Sequence, residues 1–242
     1  MNLIKANTDN LTTLWKIGGQ LTGLYIEEPG YGMSISGNGE WPNKLWFTHP
    51  MERQSILDIQ LKWKLDKLSL PVWGDALHRQ ELILKSCGFE EKHKQIAMSM
   101  DLSHAPAPKE RVLIQKVSNK PLAEIWSQLF EQAFGYKISA VTVSQTMGSI
   151  GYYIGKNNGN PVGTAVLFID QQGIAGIHSM GIIPSQRRKG FAEELLIQIM
   201  KIAKKKGATY ATLQASDMGK GLYLKTDFRQ DFVIKTFIKK KK

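Results

Sequence analysis

Apolar residues along this chain change their period repeatedly, and each change marks an element. The sharpest helical signal is Ala192, Leu195, Leu196, Ile199, Ile202 and Ala203, spaced by threes and fours after Gly190. Lys204, Lys205 and Lys206 complement the dipole of its last turn, and Gly207 suits a left-handed cap. Residues 173–183 before it, and 209–215 after it, are short and β-branched enough to be strands. Upstream, strands are expected at 112–117, 152–155 and 162–169, the last two flanking the turn Asn157-Asn158-Gly159-Asn160. Leu122, Ile125, Trp126, Leu129 and Phe130 predict an amphipathic helix over 121–134, with a short helix at 141–149. A short helix near 219–226 and a strand at 232–238 complete that half.

The N-terminal half is less regular. Leu11, Leu14, Trp15 and Gly18 form a short amphipathic pattern behind a cap at Thr8 or Asp9. Residues 18–39 hold seven glycines around the alternating stretch 31–35, and Gly37-Asn38-Gly39 reads as a hairpin turn into the aromatic strand 44–48. A helix over 51–67, a strand at 68–73, a helix at 78–86 and a strand at 95–102 follow. The polar, proline-containing run from Ser103 to Glu110 is the best boundary in the chain. It divides the molecule into residues 1–103, a linker at 104–110, and residues 111–242.

Composition adds few restrictions. With 42% hydrophobic and 22% charged residues, the chain is ordinary globular material. No apolar run approaches the ~20 residues of a membrane helix, and the first residues lack an apolar signal core. Cys87 stands alone, so no internal disulfide forms, and a cytoplasmic location is the default expectation. The net charge of +11 raises the question of nucleic acid. Its excess lies in residues 201–206 and the terminal lysines, without interleaved aromatics, so neither a nucleic-acid nor a membrane partner is expected. The five histidines show no metal-ligand spacing, and no metal is expected. A G-x-S-x-G elbow and a Walker loop are both absent.

The candidate chemistry lies between the strand at 173–183 and its helix. The first N–H groups of a helix lack internal partners and attract anions. Gly190 lets a bulky polyphosphate approach the backbone, and Arg187, Arg188 and Lys189 bring formal charge to the same mouth. The segment reads as a pyrophosphate cradle. Pro184 followed by Arg187-Arg188-Lys189-Gly190-Phe191-Ala192 resembles the R/Q-x-x-G-x-G/A signature of the GNAT family of acetyl-CoA-dependent N-acetyltransferases. The order of elements over 111–242 is similar to that family's as well: strand, two helices, three strands, helix, strand, helix, strand.

That resemblance implies an α/β fold with a mixed sheet that splits near the cradle to admit the pantetheine arm of acetyl-CoA. The helix–Gly88-Phe89–strand passage of the N-terminal half is similar to the family's ending, which suggests a tandem arrangement with a degenerate first copy; an unrelated α/β domain over 1–103 is the alternative. That half carries no R-x-x-G-x-G/A, so it is not expected to bind coenzyme A. Cofactor contacts are implied for Met180, Gly181, Ile182, Arg187, Arg188, Lys189, Gly190, Phe191, Ala192, Ser216 and Tyr223. Tyr223 looks like the Tyr of the family's Y-x-x-x-G-F stretch, whose phenol protonates the leaving thiolate. Asp227 departs from the pattern, standing where Gly is usual. His178, on the strand feeding the cradle, suits a base that deprotonates the acceptor amine, and equally suits a histidine hydrogen-bonded within the sheet. Ser216 approaches the cofactor in the family, and a turn-forming Ser before Asp217 has the same sequence. The expected activity is direct acetyl transfer to a primary amine of a small molecule or peptide, by a monomer or homodimer. A non-catalytic acyl-CoA-binding or regulatory module is the alternative.

Overall fold

The computed structural model describes residues 2–37, 41–107 and 110–240. The N-terminal half runs α1 (Leu3–Thr22), β1 (Gly23–Glu28), β2 (Tyr31–Ser36), β3 (Asn43–Phe47), α2 (Arg53–Lys62), β4 (Ser69–Trp73), α3 (Leu77–Ser86) and β5 (Phe89–Asp101). The second half opens with β6 (Leu113–Lys116), α4 (Lys120–Phe134), α5 (Ala140–Thr146), β7 (Gly151–Asn157), β8 (Asn160–Ile169) and β9 (Ile174–Ile182). It closes with α6 (Phe191–Lys205), β10 (Tyr210–Ala215), α7 (Lys220–Lys225) and β11 (Arg229–Lys239).

All eleven strands form one mixed sheet in the order β1-β2-β3-β4-β11-β5-β10-β9-β8-β7-β6. The two halves exchange their last strands. β11 lies between β4 and β5, and β5 lies between β11 and β10. Each exchange completes the other half's core. Met98 and Met100 of β5 pack with Leu195, Ile199 and Met200 of α6, while Phe237 of β11 packs with Leu45, Ile56 and Leu70. The segment proposed from sequence as a linker therefore joins two halves of a continuous sheet. Counted from α1 and from α4, the halves also repeat the same succession of strands and helices, with α5 and β6 as extras of the second.

α6 covers one face of the second half, with Leu195, Leu196 and Ile199 against Ala175, Ile177 and Leu213. α4, α5 and the N-terminal α1 cover the other, with Trp126, Phe130 and Leu14 against Tyr152, Val166 and Phe168. Local chemistry sets the ends of α4: the Asn119 side chain accepts from the Leu122 N–H, and Gly135 takes a left-handed φ of 76°.

Besides β1, which the sequence did not announce, α1, α2 and β5 differ from the sequence expectation. α1 runs for 20 residues although it contains Asn7, Asn10, Gly18 and Gly19, all poor helix formers. Those residues are buried against the sheet, so tertiary contacts override propensity. α2 ends at Lys62, not 67, because Trp63 turns to an extended conformation. β5 starts at Phe89, not 95; its charged run Glu90–Lys94 has no apolar alternation, yet pairs with β11. Of the expected turn Gly37-Asn38-Gly39, Asn38 and Gly39 lie outside the described residues, as do Pro108 and Lys109 of the linker and the last two lysines.

Candidate active site

β9 and β10 run parallel but pair only from Ile174–Tyr210 to Gly176–Thr212. Beyond that point they part, and a bulge in β9 accompanies the parting. Opposite β8 the register jumps from Val166–His178 to Thr164–Gly181, and Ser179 adopts φ 48°. The Thr164 hydroxyl donates to the Ser179 carbonyl at 3.1 Å and braces the bulge. Residues 180–182 thus present a backbone edge towards β10 without a strand partner among the described residues. A Cβ on Gly181 would lie 2.7 Å from the Phe134 ring, so glycine is required for that close approach.

Beyond β9 the chain makes a short 3₁₀ turn, Pro184–Gln186, and enters α6 at Gly190. Arg188 and Gly190 both take left-handed φ, 62° and 81°. With Arg187 extended, these two left-handed residues turn the chain sharply into the start of α6. No side chain caps α6, so its first N–H groups stay open. Phe191 is buried and Ala192 half-buried at this first turn. The three cationic side chains behave differently. Arg187 donates from Nε to the Ile182 carbonyl at 3.1 Å and from Nη2 to the Ala133 carbonyl at 2.9 Å, which ties the loop to β9 and α4. Lys189 Nζ donates to the Ser185 carbonyl and Gln186 Oε1. Only Arg188 has no hydrogen-bonded side chain among the described residues.

Arg111, not anticipated from the sequence, stands at the same mouth. Its guanidinium pairs with the buried Glu194 of α6 and lies 5.7 Å from the centroid of the Phe191 ring. A Cβ on Gly190 would come within 3.1 Å of it. The acidic first turn of α6 is thereby neutralised, with Arg111 on Glu194 and Lys225 on Glu193 at 2.6 Å. No local pattern links Arg111 to a helix so far along the chain.

His178 is held between the sheet and α1. Asn7 Nδ2 donates to the Met98 carbonyl, which leaves Asn7 Oδ1 to accept from Gln214 Nε2 at 2.7 Å. Gln214 Oε1 then faces His178 Nδ1 at 3.1 Å, so the proton of the neutral ring sits on Nδ1. Nε2 faces Asn10 Oδ1 at 3.4 Å, and Asn10 Nδ2 is anchored on the Ile174 carbonyl and Asp170. Burial pushes the imidazole pKa down to about 4, partly opposed by Gln214. A Cβ on Gly176 would overlap both Asn10 Oδ1 and His178 Nε2, so that glycine makes room for the network.

Tyr223 lies on α7, half-buried, with its ring 5.9 Å from Phe228 and edge-on to it. Burial pushes its phenol up to about 12. Asp227 does adopt the left-handed conformation, at φ 65°, that the usual glycine would take. The turn geometry is preserved: the Phe228 N–H donates to the Tyr223 carbonyl at 3.0 Å. Ser216 is exposed, and its Oγ accepts from the Gly219 N–H at 3.2 Å, which is the turn-forming role.

Comparison with known proteins agrees with this geometry. Residues 119–228 match the family model described as the acetyltransferase (GNAT) family. No curated protein matches the chain. Among solved structures, a GCN5-related N-acetyltransferase from Kribbella flavida superposes with a TM-score of 0.74 at 14% identity, covering 98% of this chain and 96% of that one. A GCN5-related N-acetyltransferase-like protein from Streptococcus suis gives 0.59 at 14% identity, over 97% and 100%. A tandem GNAT protein from the clavulanic acid biosynthesis pathway gives 0.58 at 9% identity, over 86% and 77%. At such identities the likeness establishes the fold. Residues 119–228 are a domain of the GNAT acetyltransferase family, and the fold of the chain is the GNAT fold.

Proposed function

We propose that the protein is an acetyl-CoA-dependent N-acetyltransferase that moves the acetyl group directly to a primary amine. The observation that carries this reading is the uncapped start of α6, with left-handed Arg188 and Gly190, beside the mouth of the β9/β10 gap. The N–H groups from Arg188 to Ala192 would hold the pyrophosphate, and the open edge at Met180, Gly181 and Ile182 would pair with the pantetheine arm and the acetyl carbonyl. Acetyl-CoA supplies an activated thioester. The N–C bond forms as the C–S bond breaks, and the thiolate takes a proton.

Tyr223 is suited to give that proton, since its phenol stays protonated across the physiological range. The ammonium of the acceptor must lose one. His178 is neutral above about pH 4 and offers its Nε2 lone pair, and Asn10 Oδ1 stands ready to accept from the protonated ring. The depressed pKa makes it a weak base, so it acts best on a proton already shared through water.

Calorimetry with acetyl-CoA, together with thiol release in the presence of an amine panel, tests the reading. Binding and amine-dependent thiol release are expected. A second reading, a non-catalytic acyl-CoA-binding module, draws support from the burial of His178, which makes it a weak base. Tight binding without transfer to any amine would favour it.

A further inference from the structure

A cavity of about 870 Å³ lies on the face that α1 covers, at the ends of β3, β4, β5 and β11. Trp41 and Tyr136 contribute aromatic walls, and Lys44, Lys92, His93 and Asp66 are among its polar lining. It adjoins the β9/β10 gap in two ways. β5 outruns β10: Ala215 pairs with Ile96, so His93 stands roughly 10 Å past the last pair of β10. On the other side, the Tyr136 ring packs 6.2 Å from Phe134, which in turn covers Gly181. A polar chain also runs between them. His178 Nδ1 bonds Gln214 Oε1, Gln95 Nε2 donates to the Gln214 carbonyl at 3.1 Å, and the Gln95 side chain bonds His93.

The charge in this cavity is unbalanced. Lys44, Lys67, Lys92 and Lys239 line it against a single carboxylate among the described residues, Asp66. Among the described residues no carboxylate pairs with Lys44, Lys67 or Lys92. Among the described residues Lys44 Nζ meets the Ser69 hydroxyl, at 2.8 Å, and the Trp15 ring, 5.6 Å from its centroid. Burial and the neighbouring Lys92 push its pKa down to about 8. A desolvated ammonium without a counter-ion is costly, and an anion entering the cavity would relieve it.

We propose that this cavity is the acceptor subsite and that it binds the anionic group, carboxylate or phosphate, of an amine acceptor. The inference rests on the acetyltransferase reading for the word acceptor, and on the cavity alone for the anion. Benzoate and phenyl phosphate, titrated without acetyl-CoA and followed by tryptophan fluorescence and calorimetry, separate the two. At least one should bind, weakened about ten-fold or more by Lys44→Met and several-fold by Lys92→Ala, with Lys5→Ala as an unaffected control. Failure of both anions to bind, or equal binding by a folded Lys44→Met, overturns the proposal. Should Lys44→Met not fold, the exposed Lys92→Ala decides alone.

The second arm compares γ-aminobutyrate with butylamine, and phosphoethanolamine with ethanolamine, as acceptors. The anionic member is expected to have the higher kcat/KM, and Lys92→Ala to reduce that advantage through KM. Turnover of neutral amines without preference sinks the anion site and leaves the acetyltransferase reading standing. Anion binding that follows Lys44 without any acetyl transfer does the reverse.

Discussion

Each half of the sheet contains one parallel strand pair that parts after a short contact, yet the two gaps end differently. In the second half β9 and β10 separate beyond Gly176, and the chain then meets a basic loop with left-handed residues and an uncapped helix. In the first half β3 and β4 meet only at Lys44 and Ser69. The following loop, Thr48 to Glu52, has no left-handed residue, and α2 begins behind a carboxylate, Glu52, in an extended conformation. The same backbone plan therefore leads at one end to a basic loop before an uncapped helix, and at the other to a helix whose N-cap position is a carboxylate. Topology provides a gap in each half, and the loop that follows differs in charge and backbone conformation. The comparison reverses at the turn before the last strand of each half. Gly88 takes φ 83° in the first, while Asp227 must take φ 65° in the second.

The largest effect should come from separating the halves. Residues 111–242 alone lack β5, which leaves β10 and β11 without their shared partner and opens the core at Met98 and Met100. That fragment is expected to be unfolded by circular dichroism, and co-expression with residues 1–103 to restore a soluble complex; a cooperative transition from the fragment alone would break the picture of exchanged strands. Tyr223→Phe should lower turnover by about 10²–10⁴-fold with little change in acetyl-CoA affinity, measured by thiol release and calorimetry. The opposite split would reject its role as the acid.

His178 carries a pH signature. Its folded pKa, about 4, lies below the unfolded value near 6.5, so the unfolded chain takes the proton first as pH falls. The stability it contributes is full above about pH 6.5 and drains away towards pH 4, a loss on the order of 2–3 kcal/mol. Urea titrations across that window should show the slope, and His178→Gln should flatten it. Gly190→Ala should weaken acetyl-CoA about ten-fold, since the new Cβ meets Arg111 and disfavours the left-handed turn. Glu52→Gln, at the matching place in the first half, should leave affinity unchanged. Calorimetry should count one acetyl-CoA per chain, and two would erase the distinction between the gaps. The smallest effect is Asp227→Gly, expected to stabilise the fold by about 1 kcal/mol by relieving the left-handed residue.

Much of the second half was legible because its signals are local. The apolar spacing from Ala192 to Ala203, the glycine before α6, and the distance from Tyr223 to Phe228 all act within a few residues of chain. β1 and the start of β5 were not legible. One is an exposed edge strand and the other a charged run, and neither carries the alternation of a half-buried strand.

By itself, then, the sequence determined the local frame: a loop that turns at Gly190, and a helix whose periodicity sets its buried face. Only the tertiary structure decided how the surrounding side chains are used. Arg187, which reads as a phosphate ligand, braces β9 and α4, while Arg111 arrives at the mouth from the segment between the halves. His178, open in the sequence to two roles, is set in one tautomer by Asn7, acting through Gln214 from a helix at the other end of the chain. The physical reason is range. Helix periods and left-handed turns are enforced between near neighbours, whereas the hydrogen bond from Gln214 to Asn7 exists only after the sheet has brought them together.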